Sequence, residues 1–150
     1  MVGIEVQMHK ATFFYSIGTG EFFGAFFDTV TCLLENRQRG KNFPTLRSLY
    51  FGKLIEKDNL NSLANELTTI QKQLKDYSPK DIVWNMEDRT VAPPWGTDIS
   101  EEITNLSNYF VTCNGKQLFD VLNKAIVHAK DLGTCLHIKS TFENPHSPNW

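Results

Sequence analysis

The first residues of the chain alternate between apolar and polar side chains, a pattern that predicts a β-strand with one buried face. The apolar positions of this alternation are Val2, Ile4, Val6 and Met8. A second segment, rich in strand formers, covers residues 12–17 and ends at a turn-forming Gly-Thr-Gly triplet. The short link between the two segments predicts either a hairpin or one long bent strand.

From Glu21 onward the apolar positions recur every three or four residues, which predicts a helix with one wide apolar stripe. Phenylalanines form the first turns of this stripe, which continues to Leu34. We expect Arg37 and Arg39 in the last turn of the helix, because cations there interact favourably with the helix dipole. Gly40 would then end the helix in a left-handed conformation.

Two further amphipathic helices are predicted from the same spacing. One has Asp58 as its N-cap, covers residues 60–77 and ends at a Ser-Pro pair. The other opens with the capping-box pair Asn114 and Gln117 and ends at Gly133.

Four shorter segments complete the predicted elements. The segment around Ser48–Phe51 is ambiguous, and its composition favours a strand. Asp81–Met86 and Cys135–Lys139 each predict a short strand. A capping box that begins at Asp98 predicts a short helix over Ile99–Leu106.

The predicted elements fit a single α+β domain over residues 1–141, followed by a C-terminal tail at residues 142–150. We expect a small, mostly antiparallel sheet packed against about three long helices. The full length of 150 residues is ordinary for one domain and long enough to bury a substantial core. The 11 phenylalanines predict that this core is rich in aromatic rings.

Charge is unevenly distributed along the chain, although the net charge is only −2. Residues 37–57 hold six basic residues and one acid, whereas residues 81–105 hold six acids and one base. These two bands could face each other in the fold or offer opposite poles to partners. A net negative chain argues against nucleic acid as the partner, because phosphate binding needs clustered Lys and Arg.

The cysteines Cys32, Cys113 and Cys135 are odd in number and widely spaced, which predicts free thiols in a reducing cytosol. The first residues lack the basic region of a secretory signal, so we expect a cytoplasmic protein. The most apolar stretch, residues 11–34, is interrupted by two acids and three glycines. We therefore expect a strand and a buried helix there and no membrane span.

Few residues point to catalysis or to metal binding. Cys135 and His137 would share a strand face, and Cys113 could approach them as a third zinc ligand, but no ligand pair has a recognised spacing. Cys113 is also the best candidate nucleophile if it lies at a helix N-terminus, which favours the thiolate. The Gly-Thr-Gly triplet lacks the Lys-Ser/Thr ending of a phosphate loop. We expect no catalytic residues, no metal and no cofactor.

The strongest binding candidates lie in a loop fixed by a Pro-Pro pair. Glu87, Asp88 and Arg89 are three consecutive charged residues between two aromatic residues, Trp84 and Trp95. Loops held by a scaffold often carry binding residues, and aromatic residues flanked by charge commonly anchor protein interfaces. These residues form either a protein interface or a solvated loop.

The last third of the chain carries two motifs in a fixed order. The first is Pro93-Pro94-Trp95-Gly96-Thr97-Asp98-Ile99-Ser100, and the second is Asn105-Leu106-Ser107-Asn108-Tyr109-Phe110-Val111-Thr112. A Gly-capped amphipathic helix follows them. In pattern and order, this part of the chain resembles the immunity proteins of bacterial polymorphic-toxin systems, specifically the family catalogued as immunity protein 70.

The resemblance implies a non-enzymatic protein that binds the C-terminal domain of a cognate toxin inside the producing cell and blocks it. The implied partner is a protein, neither nucleic acid nor a membrane, and an acidic face would suit a basic toxin such as a nuclease. Two alternatives stay open. One is a small hydrolase or transferase that uses Cys113 with a histidine. The other is a self-associating adaptor, in which the surplus of aromatic residues forms a homodimer interface.

Overall fold

The computed structural model describes residues 1–141 and Trp150, so most of the predicted C-terminal tail lies outside the described residues. The described strands form one antiparallel sheet in the order β2-β1-β3: β1 (Val2–Gln7), β2 (Thr12–Gly18) and β3 (Leu136–Ser140). Of the two arrangements predicted for the first two segments, a hairpin or one long bent strand, the structure has the hairpin. The predicted last strand is also present, shifted by one residue.

The described residues form the helices α1 (Gly20–Leu34), α2 (Pro44–Tyr50), α3 (Leu60–Leu74) and α4 (Leu118–Leu132). Helices α1, α2 and α4 contact the sheet, and α3 packs against these three helices. Helices α1, α3 and α4 are each 15 residues long, and α2 has 7 residues. The predicted α+β class, with a small antiparallel sheet and three long helices, is confirmed.

The central strand β1 depends on a glycine at its second position. A Cβ on Gly3 would lie 2.2 Å from the carbonyl oxygen of Tyr15 and 2.6 Å from the Phe14 ring. Because Gly3 has no side chain, the ring of Phe14 can lie against this face of β1. On the opposite face, Val2, Ile4 and Val6 are buried in the core.

The predicted aromatic core forms around α1. Thr19 is the N-cap of this helix, and its hydroxyl oxygen accepts the N–H of Phe22 at 3.1 Å. The Gly-Thr-Gly triplet is thus a turn that starts a helix. Phe26 is fully buried, and its ring makes edge-to-face contacts with Phe110 and Phe119 at centroid distances of 5.3 and 5.6 Å. Such pairs add to the stabilisation from burial.

The predicted strand at Ser48–Phe51 is wrong, because Pro44–Tyr50 is the helix α2. Two distant glutamates satisfy its first N–H groups. Glu66 accepts the N–H of Thr45 at 3.2 Å and of Leu46 at 3.0 Å, and Glu35 accepts that of Phe43 at 3.1 Å. Carboxylates at this end also complement the helix dipole, so tertiary contacts override the local strand propensity.

The predicted end of the first helix is also wrong. The helix ends at Leu34, and Asn36 and Arg37 adopt left-handed φ values of 50° and 63°. Arg37 and Arg39 therefore lie beyond the last turn, and Gly40 is not the residue that ends the helix. In contrast, Gly133 does end α4 with a φ of 64°, as predicted.

Three predicted capping arrangements are wrong. Asp58 lies inside a 3-10 turn, Lys57–Asn59, and Asn59 is the N-cap of α3, which ends at Leu74. Gln117 is the N-cap of α4 and makes no capping bond with its side chain, while Asn114 lies in a preceding turn. The predicted helix over residues 99–106 is a succession of turns.

Candidate partner-binding surface

The loop that carries the predicted binding residues is fixed to α1. Thr29 is fully buried in α1, and its hydroxyl donates to the carbonyl of Val83 at 3.1 Å. The same hydroxyl oxygen accepts the N–H of Val83 at 3.2 Å. These bonds satisfy the loop backbone without a neighbouring strand. The predicted strand at Asp81–Met86 is therefore wrong, because a side chain takes the place of the ladder.

Asp28 holds the next part of the same loop. One of its carboxylate oxygens accepts the N–H of Met86 at 3.0 Å, and the other accepts a hydrogen bond from Arg39 at 2.7 Å. The Arg39 guanidinium also lies 3.8 Å from the centroid of the Tyr50 ring. Arg39 belongs to the basic band and Met86 to the acidic band, so the two bands meet at this point.

The tip of the loop presents the three predicted charged residues to solvent. Glu87, Asp88 and Arg89 are all exposed. One Asp88 oxygen accepts hydrogen bonds from both the hydroxyl and the backbone N–H of Thr90. The hydroxyl bond, followed by the backbone bond, lowers the pKa of Asp88 below its ordinary value. The carboxylate is thus charged and held in one orientation.

The two predicted tryptophans are in contact. Trp84 and Trp95 meet edge to face, with ring centroids 5.2 Å apart. Trp95 donates its indole N–H to the hydroxyl of Tyr109 at 2.9 Å, and Tyr109 is buried beside Phe110. Burial raises the pKa of Tyr109, against a smaller opposing effect of the Trp95 hydrogen bond. Trp95 is 37% exposed, so an anchored aromatic ring remains accessible.

The sequence reasoning found the exposed residues of this surface and missed the residues that support them. Thr29 and Asp28 carry the loop, and each is a polar residue beside the apolar stripe of α1. The sequence did contain a signal for this support, because the helical period predicts that Thr29 is buried. A buried hydroxyl requires a hydrogen-bond partner. Nothing local identified Val83 as that partner, since it lies 54 residues away.

Cys113, the candidate nucleophile, lies in a turn that precedes α4. It is exposed, lies five residues before the start of α4, and its backbone N–H bonds to the carbonyl of Ile17 at 2.9 Å. Its sulfur lies 3.9 Å from the sulfur of Met1. The predicted placement of Cys113 at a helix N-terminus is therefore wrong, and no histidine of the described residues hydrogen-bonds to it.

The residues considered as zinc ligands do not converge. His137 contacts Glu5, with its Nε2 3.0 Å from a carboxylate oxygen. The carbonyl of Cys135 accepts the N–H of Gln7, at the opposite end of β1 from Met1 and Cys113. Across residues 1–141, no group of three or more His, Cys, Asp and Glu side chains could hold a metal ion.

Comparison with known proteins gives one clear match. Residues 8–138 match the family model described as Immunity protein 70, which covers most of the chain. Searches of the curated proteins and of the solved structures gave no match. No helix in the described part of the chain has the length and apolar character needed to cross a membrane.

Proposed function

Because the chain belongs to the immunity protein 70 family of toxin systems, we propose that it binds and neutralises the C-terminal domain of a cognate polymorphic toxin. Neutralisation would take place in the cytoplasm of the bacterium that makes both proteins. The observation that carries this proposal is the family match over residues 8–138. The family is generally non-enzymatic, so inhibition is expected to come from binding alone.

The proposed contact surface consists of Trp84, Glu87, Asp88, Arg89 and Trp95. Its support is geometric, since the loop backbone is bonded to Thr29 and Asp28 before any partner arrives. A surface that is already ordered loses less conformational entropy on binding, which favours high affinity. Trp95 would supply an aromatic anchor and the charged tip would supply electrostatic pairing.

The charge of this region favours a basic partner. Residues 81–105 carry six acids and one base, and Glu87 and Asp88 are exposed within them. Complementary charge accelerates diffusional encounter, and this acceleration decreases as salt screens it. We therefore expect the toxin domain to present a cationic face.

Coexpression tests the proposal directly. The toxin C-terminal domain encoded beside this chain would be expressed in bacteria with and without it, and growth and copurification would be measured. We expect growth to be restored only when the chain is present, together with a stable complex of the two proteins. Unrestored growth and no complex would contradict the proposal. Catalytically inactive toxin would serve as the control for expression.

Charge reversal tests the proposed surface. We expect Glu87→Lys with Asp88→Lys to reduce the association rate about 10-fold at low salt and to weaken its salt dependence. The matched control is Glu56→Lys with Asp58→Lys, which reverses two exposed acids elsewhere. Stopped-flow mixing with the toxin domain measures both rates. Equal rates and equal salt dependence for the two double variants would exclude this loop from the contact.

A further inference from the structure

A groove lies beside Trp95, on the side of the molecule where α1 begins. Its volume is about 310 Å³. Most of its lining is apolar, with Phe22 from α1 and Ile99, Ile103 and Val111 from the irregular segment that follows Trp95. Val111 is 37% exposed. An accessible apolar cavity of this size can enclose one or two large apolar side chains of a partner.

The rim of the groove is acidic. Asp98 lines it directly, and Glu101 and Glu102 occupy the turn between two other lining residues, Ser100 and Ile103. Asp98, Glu101 and Glu102 are all exposed. A basic chain that crosses this rim gains favourable Coulomb interactions, whereas an acidic chain is repelled.

The rim is fixed by side-chain amides. The side-chain Oδ1 of Asn108 accepts the N–H groups of Thr104 and Asn105 at 3.1 and 3.3 Å. Its amide nitrogen donates to the carbonyl of Glu102 at 3.0 Å. On the other wall, the hydrogen bond from Trp95 to Tyr109 fixes the indole ring. The groove therefore exists before a partner binds.

From this combination we propose that the groove binds a cationic segment of the toxin domain, with an apolar side chain in the cavity and flanking Lys or Arg residues on the acidic rim. The inference rests on the proposed function for the identity of the partner. It adds the chemistry of recognition and a second contact beside the charged loop. Apolar insertion supplies affinity, and the rim selects for positive charge.

A peptide titration tests the groove without the toxin. The capped hexapeptide KKLFKK would be added to the isotope-labelled full chain, with EELFEE as the matched acidic control, and amide and indole resonances followed by NMR. We expect the basic peptide to shift the resonances of Trp95, Ile103 and Val111, and the acidic peptide to leave them in place. Shifts elsewhere, equal shifts with both peptides or no shifts would overturn the inference.

Binding of the toxin domain supplies the second test. We expect Val111→Lys to weaken the complex on the order of 10-fold or more, because it places a cation where an apolar side chain must enter. Val127→Lys is the matched control, since Val127 is 54% exposed on α4 and outside the groove. Neutralising the rim with Asp98→Asn, Glu101→Gln and Glu102→Gln should weaken the salt dependence while the chain stays folded.

The outcomes separate the two proposals. If wild-type chain binds the toxin domain and Val111→Lys binds as tightly as Val127→Lys, the groove inference is overturned and the proposed function stands. If KKLFKK enters the groove and the toxin domain does not bind, the preference of the groove for a cationic segment with an apolar side chain stands, whereas the toxin domain as its partner and the proposed function both fail. Thermal unfolding of each variant shows whether the native fold is retained.

Discussion

The helix–sheet core and the segment of residues 82–117 are both fixed in the fold, but by different interactions. In the core, α1, α3 and α4 bury apolar stripes against the sheet and against one another. The segment of residues 82–117 contains no helix and only an isolated bridge, between Val111 and Gln117. Its backbone is held by side chains such as Thr29, Asp28 and Asn108.

This difference explains where a binding surface can arise. Helices and strands pair their backbone N–H and C=O groups within regular hydrogen-bond patterns, and they bury their apolar faces in the core. The irregular segment instead leaves Glu87, Asp88 and Trp95 directed to solvent, while a few buried bonds fix their positions. The helices and sheet therefore form the frame of the core, to which the segment adds Leu106, Tyr109 and Phe110, and the segment also supplies an exposed surface with a defined shape and charge.

The largest effect is expected from removing a core ring. Phe26→Ala should lower the free energy of unfolding by about 3–5 kcal/mol, because it leaves a cavity among buried phenylalanines. Urea denaturation measures the loss. The control is Phe13→Ala, since Phe13 is 46% exposed and its truncation should cost about 1 kcal/mol or less. Similar losses for the two variants would contradict the assignment of Phe26 to the core.

The core was largely predictable because its signals are local and periodic. The alternation of apolar and polar residues from Val2 predicts which side chains of β1 are buried, and the apolar stripe does the same for α1. Gly133 indicates the end of α4. The strand predicted at Ser48–Phe51 failed for the opposite reason. The glutamates that cap α2 include Glu66, which bonds Leu46 from 20 residues away, and no local pattern records that contact.

The candidate surface was predictable only in part. Trp84, Trp95 and the charged triplet were recognisable because aromatic residues and charges in a Pro-fixed loop are typical of interfaces. Their geometry was not, since it depends on Thr29 and Asp28 in a helix more than 50 residues earlier. The apolar groove was also missed, because Phe22 and Val111 come together only in the folded chain.

The second prediction tests whether a single hydroxyl anchors the segment. Thr29→Val keeps the shape of the side chain but leaves the N–H and carbonyl of Val83 unpaired in the interior. We expect a loss of about 1–3 kcal/mol, with faster amide exchange at Val83 than in the sheet. Thr68→Val is the control, because that hydroxyl is exposed and bonds within its own helix. If the two variants are equally stable, Thr29 is not the anchor.

A smaller, local effect is expected at the rim of the groove. Asn108→Ala removes the acceptor for Thr104 and Asn105 and the donor to Glu102, but water can replace these exposed bonds in part. We expect a loss of about 0.5–1.5 kcal/mol and faster amide exchange confined to residues 102–105. Asn61→Ala, an exposed site on α3, should leave exchange at the rim unchanged. Unchanged exchange in Asn108→Ala would show that the turn holds without this amide.

The smallest effect should appear at the loop tip, in the titration of Asp88. Hydrogen bonds from Thr90 lower the pKa of this carboxyl in the folded chain, and the hydroxyl bond is the larger cause. A depressed pKa contributes stability that is present above the unfolded-state pKa and lost as pH falls through the folded value, in the window below about pH 4. Thr90→Val removes the hydroxyl donor and should raise the Asp88 pKa toward its ordinary value, as followed by the carboxyl carbon shift in NMR. Thr104→Val, which changes another exposed threonine in the irregular segment, should leave that titration in place. If Thr90→Val leaves the Asp88 pKa unchanged, the hydrogen bonds from Thr90 do not orient the Asp88 carboxylate. The view that side-chain hydrogen bonds fix the irregular segment would then not extend to the loop tip.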